Sequence, residues 1–149
     1  MSLLARMSQQ QNWMARFDQK SYAVFPITFS TPEGPVRAKV YTPQGVQNPP
    51  AVVAVPGLHQ LGIEEPRLVN FAKSMATTGI EVLTPQVDAL ADYRVVPESI
   101  DVIGRSAQEL ARRSGMQQVG VLGLSFAGAS LSWLLPIPNT PTKFHSWLQ

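Results

Sequence analysis

The fold of this chain is decided by the stretch Val119-Gly120-Val121-Leu122-Gly123-Leu124-Ser125-Phe126-Ala127-Gly128. Its first residues are apolar and predict a short buried strand, and the residues after Ser125 predict a helix. Small residues stand two positions before and two positions after the serine, at Gly123 and Ala127. They let the chain turn sharply from strand to helix, which lifts the serine hydroxyl clear of the sheet. This pattern is typical of a serine that acts as a nucleophile.

Upstream of this stretch, strand patterns and helix patterns alternate along the chain. Strands are predicted over 22–30, 36–42, 51–55, 80–84 and 118–122, and the first two form an antiparallel hairpin with a turn over 31–35. One helix is predicted from about Glu64 to Gly79. A second begins near Pro97, ends at Gly115 and places Ile100, Ile103, Ala107 and Leu110 on one face. Residues 86–95 between these elements are predicted to be a loop.

Strands that alternate with helices at this spacing imply parallel crossovers. The sequence therefore predicts an α/β fold with a mostly parallel sheet and an antiparallel hairpin at its start. Residues 1–21 are interpreted as a leader with a broken helical stripe and 22–135 as the folded domain, in which 126–135 form the last helix. Residues 136–149, which contain three prolines, are interpreted as an irregular tail.

Composition excludes several classes of protein. The 149 residues are 44% hydrophobic, which fits one globular domain. Twelve basic and ten acidic residues are spread along the chain, so a nucleic-acid surface is not indicated. There is no cysteine, and the two histidines, His59 and His145, lack the spacing of metal ligands, so no metal and no cofactor are expected. No signal peptide or membrane span is evident, which favours a cytoplasmic location.

The predicted elements follow one another as hairpin, buried strand, glycine-containing loop, helix, strand, helix, strand and serine turn. This order resembles the N-terminal half of the α/β-hydrolase superfamily. The resemblance runs from about Tyr22 to Leu135, and it is to an esterase or dienelactone-hydrolase type of member. It implies that Ser125 is the nucleophile and that the backbone N–H groups of Phe126 and Leu58 form the oxyanion hole. The alternative for Ser125 is a helix cap or a small residue in a tight turn.

In that superfamily an acid and then a histidine follow the serine, and together they activate it. No Asp or Glu follows Ser125 here, and His145 is the only later histidine. His59, in the loop that would supply an oxyanion donor, is a candidate pocket residue: it either approaches Ser125 as a substitute base or, as the favoured alternative, lines the pocket or binds the backbone. Asp88 and Asp92 are expected to be turn and cap residues rather than parts of the cleft. Tyr93 and Arg94 either touch substrate or lie in a solvated loop.

Two functions follow from these residues. The first is a serine hydrolase with esterase-like acyl transfer on a small-molecule substrate, truncated or inactive because the acid and the histidine are missing. The second is a non-enzymatic, degenerate hydrolase domain. In that case the strand before Ser125 would lie at an exposed sheet edge and pair with a partner or with a second copy.

Overall fold

The computed structural model of the chain describes residues 21–124 and 137–138. Within them, the strands are β1 (Tyr22–Thr31), β2 (Gly34–Pro43), β3 (Ala51–Val55), β4 (Glu81–Pro85), β5 (Gln118–Gly123) and β6 (Ile137–Pro138). The helices are α1 (Pro66–Thr77), the short α2 (Asp88–Ala91) and α3 (Glu98–Ser114), and a 3₁₀ turn spans Gly62–Glu64. The leader, the helix predicted over 126–135 and most of the predicted tail lie outside the described residues.

The strands form one mixed sheet in the order β1-β2-β4-β3-β5-β6. β3 is parallel to both β4 and β5, because helical crossovers connect these strands. β1, β2 and β4 pair in antiparallel fashion, so the predicted hairpin is confirmed and extends the parallel part of the sheet on one side. Its turn is shorter than predicted, since Thr31 pairs with Gly34 and only residues 32 and 33 are left between the strands.

Helices cover both faces of the sheet. α3 packs on one face over a cluster that includes Val53, Leu83 and Leu110, and α1 packs on the other over Tyr41, Leu68 and Val82. All five residues of β3 are buried, as its continuous apolar run predicted. Burying one Val or Leu side chain contributes about 1.5–3 kcal/mol, so these two clusters dominate the stability of the domain.

Two predictions for the region after β4 are wrong in detail. Residues 86–95 are not all loop, because Asp88–Ala91 form one turn of helix, which is too short to show hydrophobic periodicity. Ile100 is 38% exposed, whereas its neighbour Ser99 is buried. The buried face of α3 consists largely of small residues, which let the helix approach the sheet closely: Ser99, Gly104, Ser106, Ala107 and Ala111. A pattern of large apolar side chains does not reveal such a face.

The strand before Ser125 does not lie at the edge of the sheet over its whole length. β6 pairs with β5 in antiparallel fashion, with Gln118 opposite Pro138 and Val119 opposite Ile137. Residues 137 and 138 are the only part of the predicted tail among the described residues. The backbone groups at the beginning of β5 thus have a partner that the sequence did not reveal.

For residues 21–124 and 137–138, the structure contains no helix that is long and apolar enough to cross a membrane.

Candidate active site

The carboxyl ends of β3 and β5 lie side by side. Val55, the last residue of β3, is opposite Gly123, the last residue of β5. The pairing continues one residue beyond the strands, because the Leu124 N–H donates to the Val55 carbonyl oxygen at 3.1 Å. Neighbouring strands are separated by about 4.8 Å, so the chain segments that follow Val55 and Leu124 leave the same edge of the sheet next to each other. In open α/β sheets, ligands bind at this edge.

The segment after β3, residues 56–63, is here called the edge loop. Its N–H groups at 57–60 donate no hydrogen bond to any of the residues that the structure describes, and the Leu58 N–H is one of these four. The Leu58 side chain is 47% exposed. A run of unpaired backbone donors beside the end of a parallel strand can bind a negatively charged oxygen.

The second half of the edge loop is tightly folded. The Leu61 N–H donates to His59 Nδ1 at 3.1 Å, and the Gly62 N–H donates to the His59 carbonyl oxygen at 3.0 Å. Because Nδ1 accepts a hydrogen bond, the neutral His59 ring carries its proton on Nε2. The Nδ1 atom of His59 thus binds the backbone of its own loop.

The helix that follows the edge loop begins with a buried carboxylate. Glu65 is only 3% exposed, and its side chain accepts from the Leu68 N–H at 2.9 Å and from Arg67 Nε at 2.8 Å. Burial by itself would raise the pKa of Glu65, but the hydrogen bonds from Arg67 and Leu68 outweigh it and hold the pKa below the ordinary value of 4.5. Glu65 thereby caps α1 and fixes the point where the edge loop ends.

A glutamine that sequence analysis did not single out connects two loops at this edge. Gln86 directly follows β4, and its Oε1 accepts from the Ile63 N–H at 3.0 Å. The general rule that functional side chains follow parallel strands would have drawn attention to Gln86, but the rule does not say which atoms such a residue contacts.

The remaining predicted residues are placed as follows. Ser125 and Phe126 lie outside the described residues, and Leu124 is the last described residue before them. Asp88 begins α2, and its Oδ1 lies 3.3 Å from Gln86 Nε2. Asp92 and Arg94 form an exposed ion pair at 3.5 Å, and Tyr93 is 60% exposed. Among residues 21–124 and 137–138, no group of three His, Cys, Asp or Glu side chains is arranged to hold a metal ion.

Comparison with known proteins gives a match at the level of structure. No protein-family model matches the sequence, and no curated protein matches it either. Among solved structures, brefeldin A esterase, a bacterial homologue of human hormone-sensitive lipase, is similar with a TM-score of 0.60 and 17% identity. The match covers 81% of this chain and 39% of that one.

Two further esterases give the same result. An esterase of Pyrobaculum calidifontis has a TM-score of 0.55 and 21% identity, and the match covers 84% of this chain and 44% of that one. Esterase Est22 has a TM-score of 0.58 and 14% identity over 82% of this chain and 42% of its own. This chain thus spans less than half the length of each of these esterases. At such identities the likeness shows a shared fold, and the described residues form part of an α/β-hydrolase fold.

Proposed function

We propose that this chain carries the nucleophile and the oxyanion hole of a serine hydrolase with esterase-like acyl-transfer chemistry. Ser125 is the nucleophile, and the backbone N–H groups of Leu58 and Phe126 are the oxyanion donors. The observation that carries the proposal is the hydrogen bond from the Leu124 N–H to the Val55 carbonyl. It brings the residue before Ser125 next to the start of the edge loop, which contains Leu58.

The fold supports the same chemistry. In α/β-hydrolase folds the serine stands on a sharp turn after a parallel strand, and one oxyanion donor comes from the loop after a neighbouring strand. The described residues include a parallel strand that ends before Ser125, β5, and a loop after its neighbour β3, the edge loop, whose N–H groups at 57–60 donate to none of these described residues. The structurally similar proteins are described as esterases, which favours a small ester or another acyl compound as the substrate class.

Turnover by these 149 residues is expected to be slow. A serine hydroxyl is a weak nucleophile until a base accepts its proton. The sequence has no Asp or Glu after Ser125, and His145 is its only histidine after that position. We therefore propose that the Ser125 oxygen bonds to the acyl carbon of an ester, the alcohol leaves, and the hydroxyl proton passes to a base in the solvent. Water then hydrolyses the acyl-enzyme slowly, which releases the acid and restores the Ser125 hydroxyl.

The test is labelling with a fluorophosphonate probe. The Ser125 oxygen forms a bond to phosphorus, fluoride leaves, and the hydroxyl proton goes to a buffer base. We expect the native chain to be labelled, and added imidazole to accelerate the labelling by serving as the missing base. Ser125→Ala should abolish the label. Ser74→Ala is the matched control and should retain it, since Ser74 lies on the exposed surface of α1.

Equal labelling of the native chain and Ser125→Ala would reject the assigned nucleophile. Absence of labelling even with imidazole would reject the hydrolase proposal. The non-enzymatic alternative, pairing through an open sheet edge, loses part of its basis because β6 covers the beginning of β5.

A further inference from the structure

We propose that Gln86 is a positioning residue that holds the edge loop in place, so that the Leu58 N–H is aimed at the oxygen that develops on the substrate. This inference rests on the proposed function of Ser125 and Leu58 and adds to it a residue from a different strand. It is carried by the contacts that join the loop after β4 to the loop after β3.

Gln86 is itself held firmly. Its backbone N–H donates to the Arg37 carbonyl oxygen at 2.8 Å, which continues the pairing of β4 with β2 beyond the end of the strand. Pro85 before it and Val87 after it are buried. The side-chain Nε2 also lies 3.3 Å from Asp88 Oδ1, which orients the amide. Gln86 is therefore held to the sheet by its backbone and to Asp88 by its side-chain amide.

Gln86 makes a bond that the edge loop cannot make for itself. The N–H groups of Gly62, Glu64 and Glu65 all donate to carbonyl oxygens within the loop, at His59, Leu61 and Gly62. The Ile63 N–H between them donates to Gln86 Oε1 instead. The Ile63 side chain is buried, so an unpaired N–H at this position would cost about 1–3 kcal/mol.

The loop backbone lies against the Gln86 side chain at Gly62. Gly62 has a φ of 51°, and a Cβ placed on it would overlap the side-chain amide of Gln86. A close approach and a left-handed backbone at one residue both favour glycine. The Gln86 side chain thus contacts the loop at two successive residues, through van der Waals contact at Gly62 and through the hydrogen bond from the Ile63 N–H.

The connection from Ile63 to Leu58 is short and stiff. His59, Leu61 and Gly62 are joined by two hydrogen bonds into one turn, and this turn begins directly after Leu58. A second tether, the ion pair between Lys39 and Glu64 at 2.8 Å, involves a Glu64 side chain that is 62% exposed and is therefore screened by solvent. Oxyanion donors act only within about 0.5 Å of the productive position, so a loosened loop should weaken catalysis.

The test compares labelling rates at saturating and limiting concentrations of the fluorophosphonate probe. Gln86→Met keeps the length of the side chain and removes the acceptor for the Ile63 N–H. We expect its maximal labelling rate at Ser125 to fall about tenfold or more, while the concentration for half-maximal rate changes by less than about twofold. Gln47→Met, the same change in an exposed loop at the other end of β3, should label at the native rate.

A rescue variant separates positioning from a general structural role. In the double variant Gln86→Glu/Asp88→Asn, the carboxylate at position 86 again offers an acceptor to the Ile63 N–H. The amide at position 88 donates to that carboxylate, so the hydrogen bond between the two side chains is kept with donor and acceptor exchanged. We expect this variant to recover most of the native labelling rate. An unchanged maximal rate in Gln86→Met, or no recovery in the double variant, would overturn the inference.

Hydrogen exchange distinguishes failure of this inference from failure of the proposed function. The hydrogen-bonded amides of residues 61–65 should exchange at least about tenfold faster in Gln86→Met than in the native chain, whether or not Ser125 reacts. Unchanged exchange would refute the tether itself. Faster exchange in a chain whose Ser125 takes no label would refute the hydrolase proposal, and with it the catalytic role of Gln86.

Discussion

The Leu124 N–H and the Val55 carbonyl oxygen are joined by a hydrogen bond of 3.1 Å, one residue beyond the end of β5. This bond keeps the ends of two parallel strands aligned at the edge of the sheet where ligands of α/β folds bind. Residues that are far apart in the sequence, in the edge loop and around Ser125, therefore leave the sheet together.

Removal of this donor should affect both stability and labelling. Leu124→Pro has no backbone N–H, so the Val55 carbonyl loses its partner, and we expect a loss of about 1–3 kcal/mol in the free energy of unfolding. Labelling of Ser125 should fall at least about tenfold because the two segments are no longer aligned. Leu124→Met keeps the N–H and the apolar side chain and is the control. If Leu124→Pro and Leu124→Met are labelled at the same rate, the alignment of the two strand ends is not needed for the reaction of Ser125.

The cap at Glu65 should stabilise the domain in a pH-dependent manner. Glu65→Ala leaves the Leu68 N–H at the start of α1 without its acceptor, and we expect a loss of about 1–2 kcal/mol at pH 7 in urea unfolding. Glu65→Gln keeps an acceptor oxygen and should lose less.

The pH dependence follows from the lowered pKa of Glu65 in the folded state, where hydrogen bonds from Arg67 and Leu68 outweigh its burial. The stabilisation is present above the unfolded pKa near 4.5 and is lost as the pH falls through the lower, folded pKa. The native chain and Glu65→Gln should therefore converge in stability in acid. If the difference in stability between the native chain and Glu65→Gln stays constant down to pH 3, Glu65 does not cap α1 as an ionised carboxylate.

Glu81 should have the opposite effect. It is buried at the start of β4, and desolvation raises its pKa more than the nearby Arg113 lowers it. The ionised Glu81 carboxylate thus destabilises the folded state. This destabilisation is absent below the pKa of Glu81 in the unfolded chain and fully present above its raised pKa in the folded state. Glu81→Gln should be more stable than the native chain at pH 7, with the advantage vanishing below about pH 4 in urea unfolding.

An exposed carboxylate serves as the control for Glu81. Glu33 lies in the turn of the hairpin, and Glu33→Gln should change stability by less than about 0.5 kcal/mol at either pH. A Glu81→Gln variant that is less stable than the native chain at pH 7 would show that the Arg113 interaction outweighs desolvation.

The end of α3 should depend on the backbone of one glycine. Gly115 has φ 69° and ψ 8°, the left-handed conformation that terminates many helices, and a Cβ at this position would meet no neighbouring atom. Gly115→Ala should therefore cost about 1–2 kcal/mol from backbone strain alone. Gly115→Asn should cost less, because Asn tolerates this conformation, and equal losses in the two variants would refute the strain argument.

Gly62 and Gln86 should be energetically coupled. Gly62→Ala introduces a Cβ that overlaps the Gln86 amide and strains a backbone with φ 51°. In a Gln86→Ala background the overlap disappears and only the strain remains. A double-mutant cycle from urea unfolding should give a coupling of at least about 1 kcal/mol, and additive losses would show that the two residues do not touch in solution.

How far the sequence predicts the fold depends on whether the signal is local. The bounds of β3 follow from five consecutive apolar residues, and the end of α3 follows from Gly115, because each signal lies within the element itself. The turn of helix at Asp88–Ala91 is missed because four residues are too few to show a period. Ile100 shares the helical spacing of Leu110 but is 38% exposed, because spacing along a helix does not fix how far the buried face extends toward its first turn.

The sequence by itself determined the alternation of strands and helices, the hairpin and the buried character of β3, because hydrophobic period and turn residues act over a few neighbouring positions. Only the tertiary structure decided that Gln86 accepts a hydrogen bond from Ile63, that His59 Nδ1 accepts one from the backbone, and that Leu124 donates one to Val55. Each of these contacts depends on the distance and direction between hydrogen-bonding atoms. The register of the strands and the path of the loops set these distances and directions, and the pattern of residue types along the chain does not encode them.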